Sequence, residues 1–184
     1  IVRYVSDREP ETLPTATIHY GDLMDPLNVR EILEDGQPDV ILHLATQSSV
    51  EYSFNHPYES YKIGFLGTVN IAEQARKSVP DLDRFIFSSS VEVYGNQSKD
   101  LLNEELRPNP ASPYGVAKVA SEHYLDYLHC ARDFPVITFR STNTYGRRHN
   151  HRFVIEKIIY QMLQGNDKIQ MGNADPVRDF LHIE

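Results

Sequence analysis

Short apolar segments alternate with longer amphipathic segments along this chain, and this alternation constrains the fold more than any other feature. Strands are predicted at Ile1–Val5, Thr17–Tyr20, Val40–Leu44, Arg84–Ser88 and Val136–Arg140. Helices are predicted between them at about Leu27–Asp35, Pro57–Lys77, Pro113–Arg132 and Phe153–Gln164. Repeated strand–helix–strand units build a parallel sheet covered by helices. The sequence therefore predicts an α/β fold.

Local signals mark several boundaries of these elements. Ser112 precedes Pro113, a pair typical of a helix start, and Gly165 follows the last predicted helix as a typical stop. The stretch 96–111, rich in Asn, Pro and charged residues, is predicted to be a surface loop.

The composition excludes some classes of protein. A chain of 184 residues suits one domain of ordinary size, and its 40% hydrophobic residues are enough for a core. A net charge of −8 argues against a nucleic-acid partner, because phosphate binding needs a basic surface. The single cysteine, Cys130, favours a reducing compartment. Neither a membrane-spanning apolar run nor a signal peptide is visible, so we expect a cytoplasmic protein.

Tyr114 and Lys118 are the first candidate chemical pair. Their four-residue spacing puts both side chains on one face of a predicted helix. A nearby ammonium favours a phenolate, so we expect the pKa of Tyr114 to fall below its usual value of about 10. The spacing alone also occurs by chance on solvated helices. Here, however, the strand beginning at Arg84 ends in three serines, Ser88 to Ser90, followed by Glu92, and open parallel sheets keep their sites at such ends.

Seven motifs follow one another in register along nearly the whole chain. They are Gly21-Asp22-Leu23, His43-Leu44-Ala45-Thr46-Gln47, Gly67-Thr68, Ser88 to Gly95, Tyr114 to Lys118, Arg140 to Gly146, and Arg178-Asp179-Phe180. In this order they resemble the extended short-chain dehydrogenases/reductases, the NAD-dependent epimerase/dehydratase family, whose members modify nucleotide-activated sugars. The resemblance implies a doubly wound parallel sheet of the Rossmann-like type, NAD (with NADP possible) as cofactor, a nucleotide-diphosphate sugar as substrate, and a homodimer of the full-length protein.

The resemblance also implies that the fold is truncated at both ends. In the family a glycine-rich phosphate turn precedes the first strand seen here, and a largely helical substrate-binding region follows. No G-x-G-x-x-G occurs in this chain. Residues 1–184 are therefore interpreted as an NAD(P)-binding domain fragment that lacks the first glycine-rich βαβ unit, with the start of the substrate-binding region from about 147. The other interpretation is a short natural domain that never bound a dinucleotide.

Four residues are candidates for the adenosine end of the cofactor. Asp7 follows the first predicted strand, where a carboxylate can accept hydrogen bonds from ribose hydroxyls and favour NAD. Arg8 could instead meet the 2′-phosphate of NADP, and both residues could equally form a solvated turn. By resemblance, Asp22 would contact the adenine amine and Leu23 would lie against the ring. Without the resemblance, Asp22 would be interpreted as a helix cap.

The loop after the third predicted strand is the candidate for the other end of the cofactor. Its residues are small or polar, which suits a backbone passing close to a pyrophosphate or a nicotinamide ribose, although a plain strand-to-helix connection looks the same. The loop consists of Leu44, Ala45, Thr46, Gln47 and Ser48. By resemblance, Tyr114 and Lys118 complete the cofactor site at the nicotinamide ribose.

The resemblance assigns catalytic roles to Ser90, Glu92, Tyr114 and Lys118. Tyr114 would take the proton of the sugar's C-4 hydroxyl, Lys118 would lower the pKa of Tyr114, and Ser90 would share the hydrogen bond to that hydroxyl. Glu92 would remove the C-5 proton, allowing the C-6 hydroxyl to leave as water, as in sugar 4,6-dehydratases. Val91 departs from this pattern, because many dehydratases have Asp or Ser there.

Alternatives to the dehydratase remain open at this point. Some nucleotide-sugar decarboxylases also carry a glutamate at the position of Glu92, whereas typical 4-epimerases carry an uncharged residue. The serines and Glu92 could also be an ordinary polar strand end. A further alternative is a non-catalytic nucleotide-binding or interaction fragment.

The C-terminal part of the sequence favours a GDP-mannose-type substrate. The order of its residues resembles that of GDP-mannose 4,6-dehydratases: Asn143, Arg147-Arg148, Phe153-Val154 and Lys157-Ile158, with Gln47-Ser48 earlier. By resemblance, Ser90, Asn143 and Lys157 would contact the substrate, and Arg178 would hold its diphosphate by a charge-assisted contact. The spacing of Phe153, Val154 and Ile158 predicts a core-facing helix side.

A metal site is not expected. His149 and His151 lie in a segment without a carboxylate or a cysteine at ligand spacing.

Overall fold

The computed structural model describes residues 17–97, 101–146, 153–172, 175 and 177–183. The predicted strand Ile1–Val5 and the candidates Asp7, Arg8, Arg147 and Arg148 lie outside these residues. The chain divides into two compact units, residues 1–140 and residues 141–184. The boundary falls a few residues before position 147, where the sequence predicted a substrate-binding region to begin.

The first unit contains a three-stranded sheet in the order β1-β2-β3. Its strands are β1 (Val40–His43), β2 (Arg84–Ser90) and β3 (Val136–Ser141). Strands β1 and β2 are parallel, with Val40 opposite Arg84 and His43 opposite Phe87. This confirms the predicted parallel α/β architecture. Each observed strand begins at the predicted residue, and β1 ends one residue earlier, β2 two residues later and β3 one residue later than predicted.

Helices precede the first described strand and separate the later ones along the chain. They are α1 (Pro26–Gly36), α2 (Val50–Asn55), α3 (Pro57–Tyr61), a π-helical turn (Lys62–Leu66), α4 (Gly67–Ser78) and α5 (Pro113–Arg132). The Asp25 carboxylate accepts the backbone N–H groups of Leu27 and Asn28 at the start of α1. The Ser112 hydroxyl accepts the N–H of Gly115 at the start of α5. Both are N-caps, which satisfy amide groups that the helix itself leaves unpaired.

The hydrophobic core lies between one face of the sheet and helices α1, α4 and α5. Phe85 and Phe87 project from β2 into it and are 0% and 1% exposed, which makes them the centre of the core. The residues packed around them include Val29, Leu33, Ile41, Ile71, Ala75, Leu125 and Leu128. Fully burying such a side chain contributes about 1.5–3 kcal/mol, so this layer holds α5 against the strands.

The opposite face of the sheet is apolar and exposed. Val40 and Leu42 of β1 alternate with the buried Ile41 and are 48% and 54% exposed. Ile137 and Phe139 of β3 are 46% and 38% exposed. Among the described residues, nothing buries these four side chains.

Two sequence predictions differ from the structure of the first unit. Residues Thr17–Tyr20, predicted as a strand, have no strand conformation, because no other described strand lies alongside to supply hydrogen bonds. The predicted helix Pro57–Lys77 is interrupted by the π-helical turn, and the separate helix α2 precedes it. The Ser121 and Thr68 hydroxyls both donate to the carbonyl of Gly64 in that turn, at 3.2 and 2.7 Å, which anchors it against α5.

The second unit contains two short parallel strands and one helix. Strands β4 (Asn143–Tyr145) and β5 (Phe180–His182) pair with Asn143 opposite Phe180. Helix α6 (Val154–Leu163) ends before Gly165, whose φ of +74° confirms the predicted stop. None of its described residues is buried, and Phe153 is 47% exposed. The predicted core role of Phe153, Val154 and Ile158 is therefore wrong for this structure, since no described layer covers that side of α6.

Candidate active site

The carboxyl ends of β1 and β2 bring two of the predicted site segments together. Because the two strands are parallel and adjacent, the chain after His43 and the chain after Phe87 leave the sheet at the same edge. The first half of helix α5 packs on β2 and on the turn that follows it. The structure thus brings loop 44–48, Ser90, Glu92, Tyr114 and Lys118 to one edge of the sheet.

Lys118 is a buried cation on α5. Its side chain is 3% exposed, and its Nζ atom donates a hydrogen bond to the carbonyl of Ser88 at 2.5 Å. The ammonium also lies 4.7 Å from the ring centroid of Phe87 and 5.7 Å from that of Tyr114. Burial lowers the pKa of Lys118 to about 8, and the Glu122 carboxylate one turn further along the helix opposes this shift.

The pKa of Tyr114 does not follow the sequence prediction. Burial raises it above 10, a hydrogen bond with Ser90 lowers it, and the negative charge of Glu92 raises it again. The expected lowering of this pKa is wrong for this structure, because burial of the phenol outweighs the hydrogen bond with Ser90. The two smaller effects show that the Ser90 hydroxyl and the Glu92 carboxylate both act on the Tyr114 phenol.

Ser90 and Glu92 are held by a tight turn at the end of β2. The Ser90 hydroxyl accepts the N–H of Glu92 at 3.2 Å and caps a single 3₁₀ turn, Val91–Val93. Helix α5 approaches this turn closely: a Cβ atom on Gly115 would lie 2.8 Å from the carbonyl oxygen of Glu92. Gly115 therefore permits the contact that puts the neighbouring Tyr114 beside Ser90 and Glu92.

The loop after β1 combines exposed and anchored residues. Leu44 is 57% exposed and Ser48 is exposed, whereas Ala45 packs against the core. The Gln47 amide donates to the carbonyl of Ser49 at 3.0 Å, and the Thr46 hydroxyl would lie 3.4 Å from a Cβ on Gly64. The loop thus exposes Leu44 and Ser48, while Ala45 and Gln47 hold its backbone in place.

Asp22 and Leu23 have local roles in this structure. The Asp22 carboxylate is exposed and accepts the N–H of Met24 at 2.9 Å. The Leu23 side chain is 3% exposed and belongs to the core, and its carbonyl accepts a hydrogen bond from the amide of Asn70. The Leu23 side chain also lines a cleft along β1, and its expected contact with adenine stays a prediction.

A cleft of about 440 Å³ lies along β1, which is an edge strand among the strands that the structure describes. Its walls include Leu23, Leu33, Leu42, Leu44 and Ala45. Three of these residues belong to the segments predicted to hold the cofactor. A largely apolar cleft that reaches the start of loop 44–48 at Leu44 and Ala45 suits a ligand with a flat ring.

Sequence reasoning missed two buried polar arrangements behind the site. His43 is 3% exposed, its Nε2 atom lies 3.0 Å from the Thr68 hydroxyl, and burial together with the charge of Lys118 lowers its pKa to about 3. Glu122 and Arg140 form an ion pair with an N–O distance of 2.7 Å. The spacing of Glu122 four residues after Lys118 was a visible signal, but its partner Arg140 lies on another element.

The predicted substrate residues Asn143, Lys157 and Arg178 all belong to the second unit. The backbone N–H of Asn143 bonds to the carbonyl of Asp179 at 3.2 Å, so Asn143 and Arg178 lie on neighbouring segments. All three residues are exposed.

Within the described residues, no group of His, Cys, Asp or Glu side chains has the arrangement of a metal site. The described helices include none with the length and apolar character needed to span a membrane.

This sheet, with a serine, a tyrosine and a lysine at its carboxyl edge, defines the class of extended short-chain dehydrogenases/reductases. The family model described as GDP-mannose 4,6 dehydratase matches residues 2–184. The chain belongs to this family of NAD-dependent epimerases and dehydratases.

The similar proteins act on different nucleotide sugars. The chain is 31% identical over 180 residues to GDP-6-deoxy-D-talose 4-dehydrogenase of Aggregatibacter actinomycetemcomitans, with 96% of this chain and 58% of that protein covered. It is 30% identical to dTDP-glucose 4,6-dehydratase of Haemophilus influenzae, with 96% and 55% covered. The structure of UDP-glucuronic acid 4-epimerase from Bacillus cereus, in complex with UDP-glucuronic acid and NAD, superposes with a TM-score of 0.75 at 31% identity and covers 86% of this chain and 50% of that one.

The chain thus spans about half the length of the curated relatives that it matches. Complexes with NAD and with NADPH are both among the similar solved structures.

Proposed function

We propose that the whole protein is an NAD(P)-dependent nucleotide-sugar 4,6-dehydratase. The observation that carries this proposal is the placement of Ser90, Glu92, Tyr114 and Lys118 at one sheet edge, where Ser90 and Glu92 both act on the Tyr114 phenol. A tyrosine beside a serine suits oxidation of a hydroxyl group. The Glu92 carboxylate at the same place supplies a base that can remove a second proton from the sugar.

The residues at this edge fit the nicotinamide end of NAD(P). The Tyr114 hydroxyl and the Lys118 ammonium are donors of the type that hold a ribose, and loop 44–48 presents small polar groups beside the cleft along β1. Asp22 and Leu23 are the proposed contacts at the adenine, with Asp7 and Arg8 at the adenosine ribose. When bound, NAD(P) supplies reversible oxidation of a sugar carbon. NAD is favoured, and NADP is the alternative.

The chain's own residues then move the protons. Tyr114 takes the proton from the C-4 hydroxyl through its Oη atom, while the Ser90 hydroxyl holds the same oxygen. A ketone at C-4 acidifies the C-5 proton, which the Glu92 carboxylate removes. The C-6 hydroxyl would then leave as water with the proton taken by Glu92. Hydride returned to C-6 and a proton returned to C-5 would complete the 4,6-dehydration without net consumption of cofactor. Lys118 supports Tyr114 once the ammonium shifts from the Ser88 carbonyl toward the ribose and the phenol.

A GDP-mannose-type substrate is the form of this proposal that we favour. The family match and the order of Asn143, Lys157 and Arg178 support it. Asn143 and Lys157 would contact the substrate, and Arg178 would hold the diphosphate. In this proposal residues from about 147 begin the substrate-binding region. Because similar proteins act on dTDP and UDP sugars, a substrate that carries dTDP or UDP is the competing alternative.

One experiment separates the possible reactions. The full-length protein is incubated with NAD or NADP and with GDP-mannose, dTDP-glucose, UDP-glucose and UDP-glucuronic acid, and product masses are measured. Loss of one water from GDP-mannose is the expected result. Loss of one water from one of the other nucleotide sugars would support a dehydratase but contradict GDP-mannose as its substrate. No reaction with any sugar, despite confirmed cofactor binding, would favour a non-catalytic nucleotide-binding protein.

A 4-epimerase or a decarboxylase is the second candidate, and Val91 is the observation that favours it. Valine can neither donate a proton nor orient a water molecule beside Glu92. An isomer of unchanged mass would establish epimerisation, and loss of carbon dioxide from UDP-glucuronic acid would establish decarboxylation.

We also propose that the full-length protein is a homodimer in the cytoplasm. Phe65 and Tyr124 meet edge to face with ring centroids 6.5 Å apart, and Tyr124 lies 5.9 Å from Tyr127, which is 49% exposed. This aromatic patch (Phe65, Tyr124 and Tyr127) joins the π-helical turn to α5. It is the proposed contact between the two copies.

A further inference from the structure

A buried ion pair lies directly behind the candidate active site. The Glu122 side chain is 7% exposed and that of Arg140 is 19% exposed. The pairing is bidentate: Arg140 Nε donates to Glu122 Oε1 at 3.1 Å, and Nη2 donates to Oε2 at 2.7 Å. Two parallel bonds of this kind fix the relative orientation of the two groups as well as their distance.

Each partner also holds one end of the segment that carries Ser90 and Glu92. At the first end, the Ser89 hydroxyl donates a short hydrogen bond to Glu122 Oε1. At the second end, Arg140 Nη1 donates to the Tyr94 hydroxyl at 2.7 Å, and the guanidinium lies 4.9 Å from the centroid of the Tyr94 ring. Tyr94 is itself 3% exposed.

The same pair is connected to Lys118. Glu122 is one helical turn after Lys118 on α5, and Ser89 follows the residue whose carbonyl accepts the Lys118 ammonium. Displacing the Ser89 hydroxyl would therefore move the Ser88 carbonyl as well. The pair thus joins β3, α5 and the end of β2 in one hydrogen-bonded unit.

We propose that Glu122 and Arg140 are positioning residues whose ion pair clamps both ends of segment 88–94 and thereby sets the placement of Ser90, Glu92 and the Lys118 ammonium. Neither residue is a catalytic residue in this proposal, since both act through Ser89 and Tyr94. The inference rests on the proposed function where it is tested by kcat. Its second test, the pKa of Lys118, does not depend on turnover.

The kinetic test uses the full-length protein and two variants. Glu122→Gln keeps the shape of the side chain but removes the charge, and Arg140→Lys keeps the charge but cannot reach Glu122 and Tyr94 together. We expect kcat to fall about 10- to 100-fold in both variants with KM changed by less than about 3-fold, because misplacing reacting groups slows turnover without weakening binding.

Two controls separate positioning from general damage. Asp126→Asn changes an exposed carboxylate one turn further along α5 and is expected to leave kcat unchanged. Leu128→Ala removes a side chain that is 1% exposed in the core of the same helix, so it lowers stability without touching the clamp. An equal loss of kcat in Leu128→Ala, or wild-type kcat in Glu122→Gln, would overturn the proposal.

The second readout is the pKa of Lys118, measured by NMR on ¹³C-labelled lysine and assigned with Lys118→Met. The titratable and charged groups around this ammonium are His43 from β1 and Tyr114 and Glu122 from α5, with Arg140 from β3 behind Glu122. We expect Glu122→Gln to lower this pKa by about one unit, because a nearby negative charge is lost. Arg140→Lys should shift it by less, because the Glu122 carboxylate remains although its position changes.

The two readouts fail for different reasons. A wild-type protein that converts no nucleotide sugar contradicts the proposed function, and the NMR measurement then decides the inference alone. An unchanged pKa of Lys118 in Glu122→Gln would overturn the inference even if the wild type is an active dehydratase.

Discussion

At the scale of single residues, the site depends on two groups whose pKa values are shifted mainly by burial. Lys118 is buried with its pKa at about 8, and the pKa of Tyr114 is raised above 10. Each group is thereby held in its neutral form more strongly than in water. Such shifts are common where a protein must exchange protons, because a site stripped of water strengthens every charge interaction within it.

Replacing Glu92 by glutamine should separate oxidation from dehydration. Glutamine keeps the size of the side chain but cannot accept the C-5 proton, so water elimination should slow by about 10²–10⁴-fold. Single-turnover reduction of the cofactor should continue. Product mass and nicotinamide absorbance measure the two steps. Glu104→Gln, in an exposed loop, serves as the control, and equal loss of both steps in Glu92→Gln would contradict the assigned role.

Lys118→Met should be inactive yet more stable than the wild type at pH 7. The pKa of Lys118 falls from 10.5 in the unfolded chain to about 8, so the unfolded state binds more protons between these values. Wild-type stability therefore rises with pH across that window. The unfolding free energy of Lys118→Met should exceed that of the wild type by up to about 3 kcal/mol below pH 8, and this difference should disappear above pH 10.5.

Denaturant unfolding of both proteins across this pH range measures the difference. Lys118→Met also loses the hydrogen bond to the Ser88 carbonyl. This loss lowers the stability of the variant by the same amount at every pH. A difference that does not vary with pH would show that Lys118 is not a buried cation.

At the scale of elements, the site depends on how closely α5 approaches the turn after β2. Helix α5 begins at the Ser112 cap, and its first turn lies against the Glu92 carbonyl at Gly115. Core side chains Leu125 and Leu128 hold the rest of the helix on the sheet. Tyr114 therefore reaches Ser90 only while the helix keeps this distance.

Gly115→Ala should push α5 away from the turn. The new Cβ would lie 2.8 Å from a backbone oxygen, which cannot move aside as a flexible side chain can. We expect a loss of about 1–3 kcal/mol in unfolding free energy and a fall in kcat larger than that in Gly36→Ala. Gly36 ends α1 with nothing within 4 Å of a new Cβ, so alanine is tolerated there. Wild-type kcat in Gly115→Ala would show that the close approach is unimportant.

At the scale of the whole molecule, the described surface is more apolar than a solitary domain needs. Val40, Leu42, Ile137 and Phe139 on one sheet face are each more than a third exposed. Tyr127 and its ring neighbours form a second exposed apolar area. Exposed apolar areas of this kind are typical of surfaces that another part of a protein or a partner covers.

Tyr127→Lys should convert the full-length dimer to a monomer. A lysine would bring a charge into the aromatic patch and remove the ring that contacts Tyr124. Sedimentation or light scattering measures the mass. Leu27→Lys is the matched control, since Leu27 is 67% exposed on α1, outside the patch. A dimer that persists in Tyr127→Lys would place the interface elsewhere.

The sequence by itself determined the features that rest on neighbours in the chain. Helix α5 has the predicted bounds, Pro113–Arg132, because its cap and its proline act locally. The strands of the sheet follow from apolar runs, and the serines and Glu92 follow from their position at a strand end. Motifs in register also indicated the family.

The tertiary structure alone decided the features that depend on distant residues. Thr17–Tyr20 is apolar enough for a strand but has no described neighbour to pair with. The pKa of Tyr114 rises rather than falls, because burial disfavours the charged phenolate. The pairing of Glu122 with Arg140 joins different elements. Periodicity and spacing report local geometry, whereas burial and long-range hydrogen bonds exist only once the chain has folded.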